Sequence, residues 1–285
     1  MNRREILALC GCSVAGITGC LSQTPQQGDD NTDTSTDGET DEPRTDAVTV
    51  DDIVVRKAVT YESTMGSGGV LAGDDRQYVV ASVQADGDLR DAEFTFETEA
   101  ESWQPGLPDT TGAINRTVEG HDGGPVGRSF GGDGTSYLAF AVPSPLSASN
   151  PRIRYEGPAN ADDGEWPIPD AERERLGADG PRFELDSLEV PEELSQGEQL
   201  SVSLTATNVS DSDGRFLSAV YWPTKQIADD DESHIVDREV PAGDDVTATR
   251  EIDTRYTTYE SEPVTLSVRG HVSAEREIAV EVDSA

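Results

Sequence analysis

The chain has 285 residues with 57 acidic and 21 basic side chains, a net charge of −36. Negative charge recurs in every segment and argues against nucleic acid as a partner, whose binders present basic patches, and against electrostatic attraction to anionic lipid. All three cysteines, Cys10, Cys12 and Cys20, lie in the first twenty residues. The rest of the chain therefore has no disulfide, no cysteine nucleophile and no thiolate metal site of the zinc, iron–sulfur or blue-copper kind.

Residues 1–19 read as a secretory signal peptide: a basic start at Arg3 and Arg4, an apolar run from Ile6 to Ile17, and a small-residue ending. The run is shorter than the roughly 20 apolar residues of a spanning helix, and it contains Gly11 and Gly16. The paired arginines point to twin-arginine export. Ile17-Thr18-Gly19-Cys20 resembles a lipobox, the motif at which prolipoproteins are cut and the new terminal cysteine is lipidated. The resemblance implies that Cys20 supplies the thiol that accepts the lipid. It also implies that the protein sits, lipid-anchored, on the extracytoplasmic face of the cell membrane, with membrane lipid as a partner. Each buried CH₂ contributes roughly 0.8 kcal/mol, so one acyl chain binds only marginally and stable anchoring takes two.

Residues 20–46 hold Cys20 and a linker built mostly from Thr, Asp, Gln, Gly, Ser and Pro. With no large apolar residue after Leu21, the linker buries too little surface to offset ordering entropy, and its like charges extend it. This predicts a disordered acidic tether. Among the basic residues only Lys57 and Lys225 are lysine. The acidic, lysine-poor composition resembles that of salt-in haloarchaea, which also favour twin-arginine export. That implies a halophilic protein working where the Debye length is a few ångströms.

Residues 47–157 predict a first β-sandwich. Val48–Val59 is rich in β-branched residues, Gln77–Ala85 is apolar on both faces, Phe94 and Phe96 alternate, and Thr135–Val142 reads as a buried strand followed by Ile153 and Tyr155. Gln104–Arg128 is long and polar and predicts an excursion from the sheet. Residues 158–180 read as a linker between domains, with one short helix over Asp170–Leu176, capped by Asp170 and stopped by Gly177. Trp166 is expected to plug the seam.

Residues 181–285 predict a second sandwich of seven strands: Phe183–Val190, Gln199–Asn208, Arg215–Trp222, His234–Val240, Asp245–Asp253, Pro263–His271 and Glu275–Val282. Alternation is clean at Leu200, Val202, Leu204 and Ala206. Thr207-Asn208 ends a strand before a Gly/Asp turn, and Val240-Pro241-Ala242-Gly243 precedes the next one. These phrases resemble the CARDB-type and related immunoglobulin-like modules of archaeal surface proteins. The first region is only weakly similar to the immunoglobulin-like domains of prokaryotic lipoproteins. The expected fold class is thus all-β, two immunoglobulin-like sandwiches after a signal peptide and a tether.

Chemistry-bearing motifs are sparse. Gly127-Arg128-Ser129-Phe130-Gly131 has the Gly-x-Ser-x-Gly form, but a nucleophile elbow needs a strand before it and a helix after it, and glycine-rich sequence flanks it on both sides. His121, His234 and His271 show no metal-ligand spacing. Asp211-Ser212-Asp213-Gly214 and Asp229–Glu232 are oxygen clusters without the full calcium-loop spacing; no cofactor is expected, with Ca²⁺ the one weak alternative. Asn115 and Asn208 head N-glycosylation sequons, and Asn208 beside a turn is the more accessible of the two. Trp222 is expected in the core. These features predict no enzyme, but a surface lipoprotein that binds or builds, with surface proteins or glycans as partners. An accessory subunit that captures a ligand for a membrane complex is the alternative, with a concave site near Trp166 or the Gln104–Arg128 excursion. A hydrolase ranks third.

Overall fold

The structure, a computed structural model, describes residues 48–65, 67–85, 87, 89–108, 114–127, 135–157, 163–227 and 232–282. Arg3, Arg4, Ile17, Thr18, Gly19, Cys20 and the expected tether lie outside these residues, as do Arg128–Gly131. The described residues belong to one compact unit. None of their helices is long and apolar enough to cross a membrane.

They form nineteen strands and one helix. In chain order these are β1 (Val48–Arg56), β2 (Ala58–Met65), β3 (Gly69–Ala72), β4 (Arg76–Ala85), β5 (Glu93–Glu97), β6 (Ser102–Trp103), β7 (Ile114–Val118), β8 (Gly124–Pro125), β9 (Thr135–Pro143), β10 (Arg152–Glu156), β11 (Gly164–Pro167) and α1 (Asp170–Gly177). Then follow β12 (Phe183–Glu189), β13 (Glu193–Ser195), β14 (Gln199–Asn208), β15 (Gly214–Tyr221), β16 (Ser233–Val240), β17 (Asp245–Asp253), β18 (Glu262–Gly270) and β19 (Ala274–Glu281). The protein is all-β, and its sheets pack as sandwiches.

The sheets stack in five layers. The first has the order β11-β10-β5-β6, the second β1-β4-β9-β8, the third β3-β2-β7, the fourth β13-β19-β18-β15-β16 and the fifth β12-β14-β17. Side-chain alternation explains the stacking, because successive residues of a strand point to opposite faces. In β4, Val79, Ala81 and Val83 pack toward Phe94, Phe96 and Ile153 of the first sheet, while Tyr78 and Val80 pack toward Val59 of the third. In β15, Phe216 and Val220 enter the core shared with the fifth sheet, while Leu217 and Ala219 meet Ala58 and Val70 of the third. Strands β4 and β15 are therefore apolar on both faces, and the third sheet is a thin layer between the second and the fourth.

Four segments differ from the sequence expectation, the first being β13, which makes eight strands after residue 181 where seven are expected. Val48–Val59 is not one strand: the chain leaves the second sheet at Arg56, turns at Lys57 and enters the third sheet at Ala58. The polar 104–128 stretch is not only an excursion, since it supplies β7 to the third sheet and β8 to the second. Residues 163–177 build into the first sandwich rather than linking: β11 pairs with β10, and Ile168 and Leu176 are buried between the first two sheets. Trp166 packs partly buried against that same core and over Gly164, not in a seam. In α1 the N-cap is Pro169, with no side-chain cap, and Asp170 lies inside the first turn, where its charge suits the helix dipole.

Candidate functional site

A cleft of about 260 Å³ opens where the third sheet stops covering the fourth. Its floor is the outer face of the fourth sheet, with Tyr221 from β15 and Thr265, Ser267 and Arg269 from β18. These are odd-numbered positions in strands whose Val220, Leu266 and Val268 enter the sandwich core. Its wall comes from β2 and β3, through Tyr61, Val70 and Leu71, with Ser67 and Glu232 at the rim.

The cleft is held in place by contacts from both sides. The Tyr221 hydroxyl donates to the Gly68 carbonyl at 3.2 Å, and the Glu232 amide donates to Ser67 Oγ at 3.0 Å. Gly69 has to be glycine: a Cβ there would collide with the Tyr221 hydroxyl and sit 2.7 Å from that of Tyr61. Glu232 Oε1 accepts the Thr224 amide at 2.6 Å. The Arg269 guanidinium lies 5.6 Å from the centre of the Tyr221 ring, a cation–π distance. Among the described residues Arg269 makes no salt bridge. The cleft therefore presents one guanidinium, one carboxylate, several hydroxyls and a small apolar wall. Among the described residues no histidine lines it.

A second hollow of about 450 Å³ lies in the 104–128 stretch, lined by Glu62, Glu119, His121 and Asp122 among others. His121 is buried, its Nδ1 lies 3.0 Å from Ser82 Oγ, and burial lowers its pKa. Beside it, Arg215 of β15 reaches Glu119 at 2.8 Å and Asp237 at 2.7 Å, tying the third sheet to the fourth. Burial works against ionisation of Glu119, but hydrogen bonds from Arg215 and Thr60 outweigh it and hold the carboxyl below its usual range. The hydrogen bond from Arg215 does the same for Asp237. Lys57, at the turn between sheets, donates to Gln77 Oε1 at 2.7 Å and to the Ala178 carbonyl at 2.5 Å. Burial lowers its pKa, partly offset by Asp179.

The sequence candidates are scattered. His271 is wedged against Phe183 and Phe216, and His234 lies on β16. Among the described residues no group of three or more His, Cys, Asp or Glu is arranged to hold a metal. Asp213 instead accepts the Ala242 amide at 3.0 Å, and Asp229–Asp231 lie outside the described residues. Asn208 is a correction. It is fully buried, not accessible beside its turn, and its Nδ2 donates to the carbonyls of Ser212, Val240 and Pro241 at 2.9, 3.1 and 3.2 Å. The nitrogen that would carry a glycan is thus the one that joins β14 to the β16–β17 turn. Asn115 lies on β7, an edge strand of the third sheet. Trp222 is in the core, with its indole donating to Thr257 Oγ1 at 2.7 Å.

Sequence reasoning placed Trp222 in the core and Glu232 in an acidic cluster, and it missed Tyr61, Tyr221 and Arg269. The available signal was parity: Tyr221 and Arg269 fall on the non-core positions of strands whose other face is apolar. What parity does not tell is which outer positions another sheet covers.

No protein-family model matches the chain, and no curated protein matches it. Among solved structures, a β-glucosidase from Listeria innocua in complex with gluconolactone is 24% identical over 37% of this chain and 17% of its own, with a TM-score of 0.32. A Bacteroides uniformis β-glucuronidase is 10% identical over 73% of this chain and 26% of its own, with a TM-score of 0.22. The chain thus spans about a quarter or less of these enzymes, and likeness at this level says nothing about what it binds or does.

Proposed function

We propose that the chain is a lipid-anchored protein of the extracytoplasmic membrane face that carries a non-catalytic β body for binding, outside a halophilic cell. The observation that carries the reading is the leader: Arg3-Arg4, a short apolar run and Ile17-Thr18-Gly19-Cys20, followed by an acidic, apolar-poor stretch. The layered body supports a display role, since the third sheet joins its two sandwiches through apolar contacts and the Arg215 bridges. The reading calls for no cofactor. The cleft beside Tyr221 favours capture of a ligand over a purely architectural role.

The test is Cys20→Ser in the full chain expressed in a halophilic host with twin-arginine export. Fractionation and intact mass should show the wild type in membranes with an added lipid mass. The variant should be either released or retained unprocessed. Unchanged membrane retention and unchanged mass would refute lipidation at Cys20.

A further inference from the structure

We propose that the cleft between the third and fourth sheets is a carbohydrate site that takes a single neutral pyranose. The proposal rests on the reading of the chain as a binding body and not on its anchor.

The charge balance of the cleft selects the ligand class. Arg269 and Glu232 contribute one charge of each sign. An anionic ligand would lose at Glu232 what it gains at Arg269, since both line the cleft. A simple cation has exposed carboxylates on every side and no reason to prefer this one. A neutral polyol meets neither difficulty, and its hydroxyls both donate and accept.

The lining supplies the complementary groups. Arg269 brings up to five N–H donors, and no carboxylate among the described residues engages them. Glu232 Oε1 is taken by the Thr224 amide, while a carboxylate has about four acceptor sites, so Oε2 is left to accept a sugar hydroxyl. Ser267 and Thr265 stand on the same strand face as Arg269 and add short hydroxyls between the charges. Val70, Tyr61 and Pro223 line the cleft and offer apolar surface for the C–H face of a ring. Tyr221 is fixed by its bond to Gly68 and by the missing side chain at Gly69, so the site is shaped before a ligand arrives. The volume, about 260 Å³, falls just below the roughly 300–1,000 Å³ of ordinary ligand pockets. That suits one ring rather than an oligosaccharide held along its length.

The experiment titrates the purified full chain with the methyl glycosides of glucose, galactose and mannose, read by saturation-transfer NMR and calorimetry. Methyl glucuronide is the charged counterpart. At least one neutral glycoside should bind saturably. Arg269→Gln and Glu232→Gln should each weaken it by about tenfold or more, as expected for loss of a hydrogen bond to a charged group. Arg269 is exposed, and glutamine at 232 keeps an acceptor for Thr224, so both variants should fold; circular dichroism checks this. Tyr259→Ala, at an exposed tyrosine outside the cleft, should bind as the wild type does. Absence of saturable binding by all three neutral glycosides overturns the proposal. So does wild-type affinity in both cleft variants, or tighter binding of the glucuronide. Crosslinking on native membranes separates the two readings. If the chain captures a stable neighbour but no sugar, the carbohydrate assignment alone fails; if it captures neither, the binding-body reading fails with it.

Discussion

His271 shows how one residue is set by its surroundings. Its ring centroid lies 5.0 Å from that of Phe183 and 6.1 Å from that of Phe216, and its Nδ1 accepts the Leu217 amide at 2.9 Å. An acceptor at Nδ1 places the proton of the neutral ring on Nε2. Burial disfavours the imidazolium and pulls the pKa down to about 4, although the Leu217 carbonyl partly opposes this. The unfolded chain titrates near 6.5, so between pH 6.5 and 4 it binds more protons than the folded one. The stability contributed by neutral His271 is fully present above about pH 6.5 and is lost as the pH falls toward 4. A shift of this size corresponds to about 3 kcal/mol. Urea denaturation of His271→Gln should show a flatter stability profile between pH 6.5 and 4 than the wild type; an equal slope in both would contradict the assignment. Sequence alone did not reveal this, because a histidine just after a strand looks the same whether it is wet or packed. Asn208 was misjudged for the same reason. Its place at a strand end was legible, but two of the three carbonyls around its amide, those of Val240 and Pro241, come from a turn distant in sequence.

At the scale of elements, helix α1 protects a strand edge. β1 is the edge of the second sheet, and an edge with free N–H groups invites pairing with another chain. Glu172, nearly buried, accepts the Val55 amide at 2.7 Å through one oxygen and the Arg175 guanidinium at 2.6 Å through the other. A helix carboxylate thus occupies a bonding position that would otherwise be open. Glu172→Ala should cost about 1–3 kcal/mol in urea denaturation, the range for orphaning a buried polar group, and should raise self-association seen by light scattering. Glu172→Gln, which keeps an acceptor, should cost less. No change in either variant would remove the clamp from the account. The legibility of elements followed the same physics. Seven of the eight strands of the second sandwich begin and end within about one residue of the alternation-based expectation, because all of these but β15 alternate apolar with polar residues along most of their length; the three-residue β13 is too short to show a period. The third sheet was not legible. β2 and β3 are apolar on both faces over short runs broken by Lys57 and Gly68-Gly69, so periodicity could not say which sheet they join.

On the scale of the whole molecule, the coupling between the two sandwiches is the property most open to test. Ala219, fully buried, and Leu217 face Ala58 and Val70 across a dry contact. An ionised carboxylate placed there would lose its hydration without a partner, at a cost of several kcal/mol. Ala219→Glu should therefore split calorimetric unfolding into two transitions, with the fifth-sheet core still melting cooperatively. A single transition at the wild-type Tm would mean that the third sheet does not couple the halves. The Arg215 bridges are partly exposed and contribute less, particularly in concentrated salt. The five-layer order was beyond the sequence, which marks residues as buried without saying by what.

The passage of the chain through Lys57 bears on mechanics. Anything pulling on the polypeptide ahead of Val48 takes hold of β1, whose residues from Val48 to Arg56 are paired with β4 at seven positions. A pull along the strand strains those pairs together with the Glu172 bond, in shear. A pull across the strand opens them one after another from Val48. Because the same ribbon continues without a loop into the third sheet, a load that survives the shear is handed to the seam between the sandwiches rather than to the far end of the molecule. The resistance of the body to tension is thus set by direction, and Lys57 is the point at which force changes layers.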